Sequence, residues 1–112
     1  MDIAEDDLDG HTLQRRYEDG TFIRIMIRRT TADTYRSGWR YALHYGALDS
    51  AAVDVETLDD GTIRRYDNAH EDTKGHELHI GDDSEPIDVE FPGMVELYVQ
   101  FWAEIPKHRV DP

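Results

Sequence analysis

Two stretches of strict two-residue alternation do most to limit what this chain can fold into. From Thr21 to Arg29, Ile23, Ile25 and Ile27 fall on one side, and Phe22, Arg24, Met26 and Arg28 on the other. From Trp39 to Tyr45, Trp39, Tyr41, Leu43 and Tyr45 alternate with Arg40, Ala42 and His44. Successive side chains of a strand point to opposite faces, so each stretch reads as a strand with one apolar and one mixed face. A sheet of such strands needs a cover over its apolar side. The C-terminal segment supplies one. Met94, Leu97, Tyr98, Phe101, Trp102 and Ile105 recur at helical spacing, with Pro92 near the first turn and Pro106 as terminator.

The remaining elements follow from turn signals. Thr30 to Ser37 reads as a polar loop. A weaker strand at Val53 and Val55 is expected to pair with Thr62 to Asp67 in a hairpin joined at Asp59-Asp60-Gly61. His76 to Ile80 forms the next strand, followed by a Gly81-Asp82-Asp83-Ser84 turn and a last strand through Ile87, Val89 and Phe91. The predicted fold is α+β: a mostly antiparallel sheet of five to six strands with a C-terminal amphipathic helix packed on one face. Residues 1–10 carry five acids and no basic residue, and are expected to be an acidic disordered tail. Residues 11–112 are expected to form a single domain. The chain has no cysteine, which excludes disulfides and thiolate metal sites. No apolar run approaches the roughly 18 residues of a membrane span, and the acidic start is unlike a secretory signal. A cytoplasmic protein with no membrane partner is the expectation.

Charge is distributed in a telling way. The chain has 25 acids against 12 basic residues, a net charge of −13, and its only lysines are Lys74 and Lys107. Acid-rich, lysine-poor surfaces suit solubility in molar salt, where the Debye length shrinks to about 3 Å, so a halophilic source with an archaeal-type acidic surface is expected. Against that background, His11 to Gly46 holds seven arginines and three acids. A cationic segment in an acidic chain points to polyanion contact, with Arg24, Arg28 and Arg40 as candidate RNA-binding residues. Pairing of these arginines with acids on the same surface is the alternative.

The chemistry-bearing residues concentrate in Arg65-Tyr66-Asp67-Asn68-Ala69-His70 and Lys74-Gly75-His76-Glu77-Leu78-His79. Three of the six histidines fall within these blocks. Burying so many titratable groups unpaired would cost several kcal/mol each, so the run is either solvated or a site. Three readings fit. Zinc would accept His70, His76, His79, Asp67 and Glu77 as ligand types, although on a strand His76 faces away from both Glu77 and His79. Metal-free cleavage of RNA would need a base for the ribose 2′-hydroxyl, an acid for the leaving 5′-oxygen and cations for the phosphorus centre. Histidines fill the proton roles, Arg65 and Lys74 the charge clamp, Tyr66 a phosphate-orienting or stacking role, and Glu77 shares a strand face with His79. In the third reading Asp67-Asn68 is a turn pair, Asn68 caps the strand exit and the histidines are inert.

At this motif the sequence resembles the TumE family, the toxin halves of a class of prokaryotic toxin–antitoxin pairs. Three blocks carry the resemblance in order: Gly38-Trp39-Arg40-Tyr41-Ala42-Leu43, then Arg65 to Asn68 with His70 and Lys74 to His79, then Phe101-Trp102-Ala103-Glu104-Ile105. Tyr66, Asp67, Asn68, His76 and His79 match the family pattern, whereas position 77, often histidine there, is Glu77 here. The resemblance implies a small α+β protein neutralised by an antitoxin that often carries a DNA-binding helix-turn-helix, and an activity against RNA. The expected function is therefore a toxin component acting as a metal-independent endoribonuclease without a cofactor. His79 is the expected general acid or base, His76 the second proton carrier, and Arg65 and Lys74 stabilise the phosphorane. A non-catalytic protein- or RNA-binding module and a zinc-binding protein are the alternatives, and a homodimer is left open.

Overall fold

A computed structural model describes residues 3–33, 35, 37–49, 51, 53–68, 76–81 and 83–107. Six antiparallel strands run in chain order across one sheet: β1 (Thr12–Arg16), β2 (Thr21–Arg29), β3 (Trp39–Ala47), β4 (Thr62–Asp67), β5 (Glu77–Ile80) and β6 (Asp83–Asp88). A short α1 (Glu5–Leu8) precedes them, and α2 (Met94–Glu104) follows. The expected α+β architecture is the observed one.

The alternation does what its period requires. Ile23, Ile25 and Ile27 are at most 1% exposed, and Tyr41 and Leu43 are fully buried between the sheet and α2. Each such aliphatic side chain contributes about 1.5–3 kcal/mol on burial. From α2, Met94, Leu97, Tyr98, Phe101 and Trp102 close the core, the i, i+3, i+4, i+7 stripe of an amphipathic helix. Pairing runs Ile25–Leu43–Tyr66–Leu78 across four strands, keeping this face apolar. Among the described residues no helix is long and apolar enough to cross a membrane.

Four details depart from the sequence reading. Val53 and Val55 lie in bends, and Val55 is exposed; β3 pairs directly with β4 instead. Two valines among Asp49, Asp54 and Glu56 bury too little to displace that pairing. The turn at Asp59-Asp60-Gly61 does form, with Gly61 at φ 88 and its nitrogen donating to Leu58 O at 2.8 Å. A side chain at Gly61 would run into the Ala47 carbonyl, so glycine is demanded by both conformation and space. The last strand spans Asp83–Asp88 rather than Ile87 to Phe91; it is an edge, where Pro86 can lack its N–H without cost. The opposite edge, β1, has only Leu13 as an apolar side chain and so carried no alternation signal.

The fourth concerns the expected tail. Leu8 is fully buried, Gly10 N donates to Ile27 O at 2.9 Å, and Asp6 pairs with Arg29 at 2.6 Å. One buried leucine and a continuation of the β1–β2 ladder tether these acids to the domain.

Candidate functional site

The second face of the sheet has no covering element among the described residues, and its composition is set by register. Antiparallel pairing aligns Arg24 on β2, His44 on β3, Arg65 on β4 and His79 on β5 in one row. The adjacent row is Met26, Ala42, Asp67 and Glu77. Ala42 is the smallest member, and the eight residues line an open hollow of about 460 Å³.

Electrostatic contacts knit the polar side of the hollow. Asp67 Oδ2 lies 2.9 Å from Arg65 Nε and 3.4 Å from His79 Nε2. The Arg65 contact is an ion pair without hydrogen-bond alignment, since Nε is otherwise unpartnered. Arg65 Nη1 also reaches Asp60 Oδ2 at 3.4 Å. His44 Nε2 is hydrogen-bonded to the buried Thr62 Oγ1 at 2.9 Å, and its ring meets Phe22 edge-on at 5.0 Å. Arg24 covers the same Phe22 ring, 5.5 Å from its centroid.

Burial, reinforced by the neighbouring Arg65 charge, pushes His44 down to about 4 from its ordinary 6.5. The ring is therefore neutral at physiological pH. The unfolded chain binds more protons than the folded one between these values. Stability from this residue is complete above pH 6.5, declines as pH falls and is gone below about 4. Burial lowers His76 and His11 in the same direction. Urea unfolding at pH 7 and pH 5 checks the sign: the wild type is expected to lose about 1–2 kcal/mol more than His44→Gln over that interval. Equal losses would show that His44 does not carry the slope.

The sequence-predicted residues divide between the two faces. Arg65, Asp67, Glu77 and His79 converge on the open face, with Arg24 beside them. Arg28 and Arg40 are cross-strand partners further along that face. Tyr66 points the other way, its Oη donating to Glu104 Oε1 on α2 at 2.6 Å. His76 also belongs to the helix side, hydrogen-bonded through Nδ1 to Tyr41 Oη at 2.7 Å and stacked on Phe91 at 4.4 Å. Asn68 is fully buried, its Oδ1 accepting from Tyr41 N at 3.1 Å and its Nδ2 donating to Trp39 O at 2.6 Å. His70 and Lys74 lie outside the described residues. His44 was not singled out in the sequence; its outward position in the β3 alternation was the available signal.

Some of the arginines are paired and others are not. On or beside the helix face, Arg29 pairs with Asp6 and Arg64 with Glu104. On the open face, Arg24, Arg28 and Arg40 have no ion pair among the described residues. In a chain of net charge −13 that groups three arginines without an ion pair among the described residues on one face.

Comparison with known proteins gives one family: the model described as Toxin TumE matches residues 2–109. No curated protein and no solved structure matches the chain.

Proposed function

The chain belongs to the TumE toxin family, the toxin component of a toxin–antitoxin pair with a cognate antitoxin as partner, and from that premise we propose that it is a metal-independent endoribonuclease working from the open face of its sheet. The observation that carries the proposal is the row His44–Arg65–His79, two imidazoles flanking a guanidinium in a solvent-facing hollow. Two strand spacings separate the imidazole-bearing backbones by about 10 Å, which leaves room for a phosphodiester between the rings.

Neutral His44 takes the proton of the ribose 2′-hydroxyl. The oxygen attacks phosphorus, and the bond to the 5′-oxygen breaks as His79 returns a proton to it. The products are a 2′,3′-cyclic phosphate and a 5′-hydroxyl end. Arg65 faces the charge that accumulates on the phosphoryl oxygens. Asp67 holds the His79 ring in place through Nε2. His44 thus fills the role that the sequence reading gave to His76. Arg24, Arg28 and Arg40 contact the backbone of the RNA beyond the cleaved bond. Phosphate affinity falls steeply with salt, so at molar salt contacts such as Phe22 under Arg24 gain weight over bare charge. The family resemblance extends the proposal to an antitoxin carrying a helix-turn-helix.

Incubation of the purified protein with total RNA in molar KCl, with and without chelator, tests this reading. Cleavage that persists in chelator and leaves cyclic phosphate ends is expected. RNA left intact under both conditions would overturn it in favour of a docking module.

A further inference from the structure

Asp67 and Glu77 are direct cross-strand partners, and His79 stands two residues beyond Glu77 on the same face. One donor atom from each therefore lies within 4.8 Å of the other two. Donors around a tetrahedral zinc ion at about 2.0–2.1 Å sit roughly 3.4 Å apart, so a shift of about an ångström per side chain closes the set. All three are half-buried and open onto the hollow, which leaves space for a fourth, exchangeable ligand. One imidazole with two carboxylates favours a first-row transition ion over magnesium or calcium, which prefer oxygen alone. Arg65 competes for Asp67 but already touches Asp60, so displacing it leaves the guanidinium paired.

We propose that Asp67, Glu77 and His79 form a binding site for a single divalent ion of the zinc class. On the nuclease reading above, on which this second step rests, the bound ion occupies the His79 ring nitrogen and withdraws Asp67 from it. A ring that ligates the ion through one nitrogen cannot also be an imidazolium, so His79 no longer serves as proton donor and the ion acts as an off-switch for the same site.

The test is calorimetric titration of the chelator-stripped full chain with zinc chloride, in excess magnesium to saturate diffuse binding by the acidic surface. One equivalent of zinc is expected to bind, at least tenfold more weakly in Glu77→Gln and in His79→Ala, with both variants showing wild-type circular dichroism. No saturable binding, or unchanged affinity in both variants, overturns the site. A parallel RNA assay addresses the switch. One equivalent of zinc is expected to slow cleavage at least tenfold, with recovery on adding chelator. Zinc that accelerates cleavage overturns the switch and the metal-free reading, whereas protein inert towards RNA with and without zinc overturns the nuclease reading. In either case the calorimetry alone decides the site.

Discussion

His79→Ala is expected to lower RNA cleavage by roughly 10²–10⁴-fold, the span associated with removing a positioned general acid or base. The fold should survive, because His79 lies on the uncovered face and Asp67 keeps its closer contact with Arg65 at 2.9 Å. His44→Ala should produce a loss of the same order. Combining the two should cost less than the product of the single losses, as groups serving one transition state are not additive. Single-turnover cleavage of a short oligonucleotide measures all three. A His79→Ala protein that cleaves at the wild-type rate would remove His79 from the chemistry.

Asn68→Ala should act on stability instead. Beyond Asp67 the β4 backbone no longer pairs with β3, yet Tyr41 N and Trp39 O still face that side. The Asn68 amide meets both, substituting for a strand with one donor and one acceptor. Truncation leaves two buried backbone groups unmet at about 1–3 kcal/mol each, so a total of about 2–6 kcal/mol is expected. A lowered urea midpoint at constant m-value measures it. Cleavage per folded molecule should match the wild type, because the amide is fully buried. An unshifted midpoint with lost cleavage would place Asn68 in the chemistry, the role its motif implied.

The same contrast explains what was legible. Parity along β5 indicates that Glu77 and His79 share a face and that His76 does not, and the contacts to Tyr41 and Phe91 agree. Motif proximity nevertheless grouped Tyr66, Asn68 and His76 with the site, because neighbours in sequence alternate between faces of a sheet. His44 was hidden for the opposite reason. It is separated in sequence from Arg65 and His79, and only pairing of β3 with β4 brings it beside them.

The amino-acid sequence by itself determined the apolar faces of β2 and β3 and the buried stripe of α2. Two-residue and helical periodicities are local properties, and burial of Ile23, Ile25, Ile27 and the α2 stripe follows from them. Register was decided only by the tertiary structure. It depends on where the 48–61 connection returns the chain and on how Tyr66 and Leu78 pack under α2. A slip of one residue would turn Arg65 and His79 into the core, and burial of the apolar face forbids it. The constraint that seals the core is therefore the one that assembles the row of His44, Arg65 and His79 on the other side.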